Sequence, residues 1–211
     1  MKTFAVVMIS CDKRSLREDT LARFADLGLG RPIIVMDTMA CENQGLTVIR
    51  PQERQERVSK MALELGIEQE TDYILFLEDD LDFNRELAHN LQAWGPIADG
   101  TLDFGSLYNP TVVGDDDASP QYQNTRVANP DKVYGSQAFV LSRKFAQYCV
   151  ENWDTIPGMQ DIKISRLAAT LDFPPLYYHS PSLVQHMGMN SAWTDDNRFH
   201  QAPDFSPDWK A

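Results

Sequence analysis

The stretch Tyr73–Phe83, YILFLEDDLDF, drives five apolar residues directly into the acids Glu78, Asp79, Asp80 and Asp82. A run with no alternating polar residue suits a strand covered on both faces, the middle of a parallel sheet packed between helices. Carboxylates at the end of such a strand are costly unless something positive sits there. The feature therefore predicts both an architecture and a ligand.

The rest of the chain alternates in the same way, which implies βαβ units. Phe4 to Ile9 is a first strand, and Ser15-Leu-Arg-Glu18 matches a capping box before a helix with Leu21, Phe24 and Ala25 inward. Gly28-Leu-Gly30 reads as that helix's C-cap. A second strand covers 32–36 and a short third 46–49. A helix over 52–65 turns Val58, Met61, Ala62 and Leu65 inward. Asn84 is placed to cap a helix that buries Leu87, Leu91 and Trp94. Strands are expected over 104–108 and 133–141. Ser142 opens a helix with Phe145, Cys149, Val150 and Trp153 inward, and Ile164, Leu167, Ala168 and Leu171 mark the last helix. Residues 110–132 read as a long loop. The expected organisation is one α/β domain over 1–193, with a mainly parallel central sheet flanked by helices, and a tail over 194–211 that wraps the surface or closes over something.

The chain has 211 residues, 43% of them hydrophobic, which is enough for a substantial core and fits one domain or two small ones. A net charge of −12 argues against a broad basic nucleic-acid footprint. The three cysteines, Cys11, Cys41 and Cys149, are odd in number and lack metal-ligand spacing, as expected of reduced thiols in the cytoplasm. The N-terminal MKTFAVVMIS resembles a short signal peptide, but Cys-Asp-Lys-Arg follows where small residues should be, so it reads as a buried strand. No apolar run is long enough to span a bilayer. The expectation is a soluble protein without membrane insertion.

In an open α/β sheet, ligands sit beyond the carboxyl ends of the strands, where Glu78, Asp79 and Asp80 would lie. Carboxylate oxygens are hard ligands suited to Mg²⁺ or Mn²⁺, which keep open positions for phosphate. The competing structural reading has Asp82 capping a turn and the others facing water. Asp115-Asp-Asp117 has no strand leading into it and reads as a solvated turn. Neither a G-x-x-x-x-G-K-[ST] loop nor a G-x-G-x-x-G turn after a strand occurs, so phosphates, if bound, would be held by metal rather than by a glycine loop.

Three segments together resemble GT-A-fold glycosyltransferases. YILFLEDDLDF is similar to their DXD region, with Glu-Asp-Asp in place of Asp-x-Asp. Val133-Tyr-Gly-Ser-Gln-Ala-Phe-Val-Leu-Ser-Arg143 is similar to the glycine-containing strand beside the donor sugar. Ser180-Pro-Ser-Leu-Val-Gln-His-Met-Gly188 resembles a late P-S-x-x-Q-H-x-G signature of N-acetylglucosaminyltransferase-like and small bacterial or viral enzymes.

The resemblance implies a metal-dependent, inverting enzyme that moves a hexosyl or N-acetylhexosaminyl group from a nucleoside-diphosphate sugar, a UDP-sugar first among them, to an acceptor hydroxyl. Asp80 and His186 would hold Mn²⁺ or Mg²⁺, while Glu78 or Asp79 approaches the ribose or base. Gly135 and Ser136 would line the donor sugar. Ser10, Asp12 and Arg14 would contact the nucleotide, with a polar βα loop as the competing account, and Asp37 follows the same logic on weaker support. Asp161 would be the general base; a helix N-cap is the competing role. Arg143 could reach phosphate, and Tyr134 or Trp193 could stack on a sugar or base. His179 reads as packing, and His89 and His200 have no role. The acceptor is left open between a glycan or small molecule and a hydroxymethylated base in DNA. A nucleotidyltransferase, or a nucleotide-sugar-binding protein without catalysis, are the other readings.

Overall fold

The computed structural model describes residues 1–11, 16–37, 48–49, 55–110, 118–130, 133, 135–170, 176–188 and 201–211. Its strands are β1 (Phe4–Cys11), β2 (Ile33–Asp37), β3 (Val48–Ile49), β4 (Tyr73–Leu77), β5 (Leu81–Phe83), β6 (Phe104–Ser106), β7 (Thr125–Ala128), β8 (Ala138–Ser142), β9 (Leu176–His179) and β10 (Val184–His186). The helices are α1 (Arg17–Phe24), α2 (Gln55–Glu68), α3 (Leu87–Ala93), α4 (Gly95–Ala98), α5 (Arg143–Asn152) and α6 (Gln160–Thr170), and a 3₁₀ turn covers Trp153–Thr155.

Eight strands form one sheet in the order β3-β2-β1-β4-β8-β6-β9-β7, while β10 and β5 pair antiparallel as a separate ribbon. Within the large sheet β3, β2, β1, β4, β6 and β9 run one way, and β8 and β7 run against them. The sheet is therefore mixed, with the parallel direction dominant, and the architecture is the GT-A-like α/β one.

Strand β4 shows why its apolar run is unbroken. Tyr73, Leu75 and Leu77 pack on one face with Val6, Met8, Phe24, Leu87 and Leu91. Ile74 and Phe76 pack on the other with Val58, Ala62, Leu63, Phe145 and Ile164. Both faces are covered, so neither parity of the strand can be polar. Phe76 is wholly buried, and its truncation to Ala would cost about 3–5 kcal/mol.

Several sequence expectations change. Helix α1 buries Thr20 and Phe24, and Ala25 is exposed. Its C-cap is Ala25; Gly28 and Gly30, at φ +75° and +80°, shape the turn beyond the helix. Ser15 lies outside the described residues. Helix α2 buries Leu63 in addition to Val58 and Ala62, leaving Met61 and Leu65 half-buried. Strand β8 begins at Ala138 rather than 133, so Gly135–Gln137 is loop. Val150 is half-buried. Ser142 caps α5 as expected, its Oγ accepting from Phe145 N at 3.1 Å. The expected loop over 110–132 contains edge strand β7, fastened by Trp94 Nε1 donating to Thr125 Oγ1 at 2.9 Å. Among the described residues no helix is long and apolar enough to cross a membrane.

The tail is built into the domain. Asn84 stands two residues before Glu86, the N-cap of α3, and its Oδ1 accepts from Glu86 N at 2.8 Å, while Glu86 makes no side-chain cap bond. Asn84 Nδ2 also donates to the carbonyls of Ser206 and Trp209, both at 2.8 Å. Phe205 and Trp209 pack against the same core as α3, and Asn90 holds Trp209 O and Ala211 N.

Candidate active site

The order β2-β1-β4 makes a switch point: the chain leaves β1 toward β2 on one side, while β4 lies on the other. Such a reversal opens a crevice at the carboxyl ends of the strands. Ser10 and Glu78–Asp80 flank it, β6 leads into Tyr108 at the same edge, and Gly135–Gln137 run into β8. Glu78 N donates to Gln137 O at 3.0 Å, fixing the acidic turn to that loop.

The acids are buried, and they are kept apart by separate partners. Ser10 Oγ donates to Asp79 Oδ2 at 2.5 Å across the switch point. Arg17 Nη1 reaches Ser10 Oγ at 3.4 Å, bringing a cation to this edge. Glu78 Oε1 accepts from Ser136 Oγ at 2.8 Å, and Ser136 Oγ accepts from Gln160 Nε2 at 2.7 Å. Thr20 holds the turn from below: its Oγ1 donates to Asp79 O and accepts from Leu81 N, each at 2.9 Å. Asp82 sits within β5 rather than at a turn, where its Oδ1 accepts from Phe83 N and meets Arg23 at 2.9 Å, so the competing reading of a turn cap with the other acids facing water does not hold.

Asp80 turns the other way. Its Oδ2 lies 3.0 Å from His186 Nε2, and its carbonyl accepts from Met187 N at 2.8 Å. The pairing of β10 with β5 sets this register, placing His186 opposite Leu81. A Cβ on Gly188 would lie 2.4 Å from Asp80 Oδ2 and 2.8 Å from His186 Nε2, so only glycine leaves that space open. One carboxylate oxygen and one imidazole nitrogen, converging beside a side-chain-free backbone, fit a dication that takes its other ligands from phosphate and water. Among the described residues no group of three or more His, Cys, Asp or Glu forms a full cage.

The late signature also has a mechanical part. Ser182 Oγ donates to Asp204 Oδ1 at 2.6 Å, and Gln185 clips Ala202 through both its carbonyl and its N–H. These residues fasten the tail behind β10, which leaves His186 directed at Asp80.

Asp161 stands in the first turn of α6. Its Oδ2 accepts from Gly135 N at 3.0 Å and its Oδ1 from Ile162 N at 2.9 Å. It is past the N-cap position, so the capping alternative gives way to a tie on the Gly135 loop. Gly135, at φ +88°, adopts a conformation that L side chains avoid.

Asp37 ends β2 at this edge, in register with Cys11. Asp12, Arg14, Cys41, the Asp115–Asp117 run, Tyr134, Leu171, Trp193 and His200 lie outside the described residues. Arg143 is a correction: its backbone N donates to Asp72 O at the opposite end of β4, and its guanidinium sits 4.0 Å from Glu70, far from any phosphate at this crevice. His179 packs between Trp94 and Trp209, and burial lowers its pKa to about 4. His89 Nε2 contacts the carbonyl of Ala211. Cys11 and Cys149 are buried and form no disulfide.

Sequence reasoning missed Thr20, Arg17, Gln160 and Tyr108. Thr20 and Arg17 sit on a helix face judged by apolar residues alone. Gln160 adjoins Asp161 and was hidden by it. Tyr108 ends a run that looks like ordinary core.

No protein-family model and no curated protein sequence matches the chain. Solved structures do. S. aureus TarS, a glycosyltransferase, superposes with a TM-score of 0.56 at 14% identity over 84% of this chain. TarS 1-349 in complex with UDP superposes at 0.56 and 13% identity over 83%. The chain spans 36% of TarS and 60% of its 1-349 fragment. The 4-diphosphocytidyl-2C-methyl-D-erythritol synthase of Anaerococcus prevotii DSM 20548 superposes at 0.54 and 12% identity, over 86% of this chain and 89% of that one. The chain shares the fold of these proteins.

Proposed function

We propose that the chain is a metal-dependent glycosyltransferase that takes a sugar from a nucleoside-diphosphate sugar, a UDP-sugar first, and transfers it to an acceptor hydroxyl with inversion. The observation that carries this reading is the convergence of the buried Glu78, Asp79 and Asp80 with His186, Ser136 and Asp161 at the switch point of the sheet. The fold shared with TarS, which has been seen with UDP, supports it.

Asp80 and His186 would hold Mn²⁺ or Mg²⁺, which when bound neutralises charge on the leaving diphosphate as a Lewis acid. Holding it requires His186 to give up the proton at Nε2, so affinity falls in acid. Asp79, braced by Ser10, and Glu78, braced by Ser136, present fixed acceptors to ribose or base hydroxyls. Asp37, at the end of β2, would contact the nucleotide as well, and Asp12 and Arg14, which follow β1 in the sequence, keep the nucleotide role that the resemblance implies. Each oxygen of Asp161 receives one backbone N–H and retains a second lone pair. One of these accepts the acceptor's proton as its oxygen attacks the anomeric carbon. The acceptor is a glycan or small molecule, or a hydroxymethylated base in DNA; the charge of −12 favours the first. The odd, widely spaced cysteines fit a cytoplasmic setting.

A nucleotidyltransferase is the second reading, favoured by the synthase that matches over most of both chains. Incubation with Mn²⁺ and a panel of nucleotide sugars separates the two. Slow release of nucleoside diphosphate, lost in Asp80→Asn, is expected. Release of inorganic diphosphate from a nucleoside triphosphate would favour the second reading. Full turnover by Asp80→Asn would refute the metal assignment.

A further inference from the structure

Tyr108 leaves β6 at the crevice and is 2% exposed. Its backbone is held on both sides, with Tyr108 O accepting from Ser106 Oγ at 2.8 Å and Asn109 N donating to Ser182 Oγ at 3.2 Å. Its ring meets the His186 ring edge to face at 6.4 Å between centroids. Yet its hydroxyl is buried and has no hydrogen-bond partner among the described residues. A buried phenol left unpaired is disfavoured, and native interiors rarely keep one without a reason. The aromatic body would pack equally well as Phe, so the hydroxyl needs its own account.

We infer that the Tyr108 hydroxyl is a donor-binding group, donating a hydrogen bond to a diphosphate oxygen of the ligand held beside Asp80 and His186. This rests on the glycosyltransferase reading for the identity of the ligand, but the chemistry required is only an anionic oxygen next to that pair. A phenol keeps its proton throughout the neutral range, so the group can serve as a donor. The carboxylates of Glu78 and Asp80 would repel a bare anion. The site thus calls for a phosphate oxygen that arrives with its counter-cation. Donation from an already buried phenol to such an oxygen is charge-assisted and needs no further desolvation of the protein.

Tyr108→Phe removes only the hydroxyl. Binding would be measured by calorimetry with Mn²⁺ alone, Mn²⁺ with inorganic diphosphate, and Mn²⁺ with UDP, alongside thermal unfolding without ligand. The expected result is unchanged or higher Tm, with affinity for Mn²⁺-diphosphate and Mn²⁺-UDP weaker on the order of ten- to a hundredfold. Wild-type affinity in the variant would overturn the inference and leave the proposed function standing. A lowered Tm with unchanged affinity would assign the hydroxyl a structural role and overturn it also. If wild type binds diphosphate but not UDP, the nucleotide reading fails, while a weakened Tyr108→Phe still supports the tyrosine. If wild type binds neither, both fail.

Discussion

Ser136 Oγ donates to Glu78 Oε1 at 2.8 Å, having only one proton to give, so the 2.7 Å contact from Gln160 must be an N–H donation from its amide. The direction of the whole relay, from α6 through the β8 loop to the acidic turn, follows from that single hydroxyl. Ser136→Ala should therefore strand a buried carboxylate oxygen and a buried amide together. A destabilisation of about 1–3 kcal/mol in urea unfolding is expected, with weaker nucleotide binding. Unchanged stability would show that Glu78 is held adequately without Ser136.

Gly188 tests the space between Asp80 and His186. An alanine methyl would press 2.4 Å from Asp80 Oδ2 and 2.8 Å from His186 Nε2. Gly188→Ala should lower Mn²⁺-dependent nucleotide affinity at least about tenfold, at an overpacking cost of about 1–3 kcal/mol. Isothermal titration with and without Mn²⁺ reads the effect. Equal metal affinity in variant and parent would remove this pair from the metal assignment.

What was legible in the sequence is what periodicity encodes. The unbroken run of β4 announces a strand with two covered faces, and the capping hydroxyl of Ser142 marks the start of α5. The crevice was legible as well, because acids after a buried strand are conspicuous. Its supports were not. Thr20 and Gln160 act through hydroxyl and amide groups whose meaning depends on elements 59 and 24 residues away in sequence. Strand β7 escaped notice because it is an edge strand, half-buried and short, inside a stretch rich in turn residues. Asn84 was read only as a local cap, which its Oδ1 in part serves at Glu86 N, because the tail carbonyls that its amide also holds lie more than 120 residues on.

Asn84→Ala tests the tail. Asn84 is wholly buried and serves two tail carbonyls, Glu86 N and the Asn90 amide. Losing it should cost about 3 kcal/mol, since several buried groups go unpaired at once. Hydrogen exchange should quicken over 206–211 before it does in β4. Exchange that rises uniformly across the chain would mean the tail is not a separable unit.

His179 gives the fold a pH dependence of definite sign. Burial among Trp94 and Trp209 lowers its pKa from 6.5 to about 4, against weaker raising influences from the Pro181 carbonyl and Asp204. The folded chain thus holds it neutral where the unfolded chain has taken up a proton. Between those two values the unfolded state binds more protons, so stability falls as pH drops from about 6.5 to about 4 and loses no more through this group below that. The shift corresponds to about 3 kcal/mol. His179→Phe keeps an aromatic ring against both tryptophans but cannot titrate. It should be less stable than wild type at pH 7, because the Pro181 carbonyl loses its 2.6 Å partner. The difference should narrow in acid. Urea unfolding at several pH values checks this: two parallel stability curves would mean that His179 takes up its proton equally in the folded and unfolded states, so that its pKa is not lowered by folding.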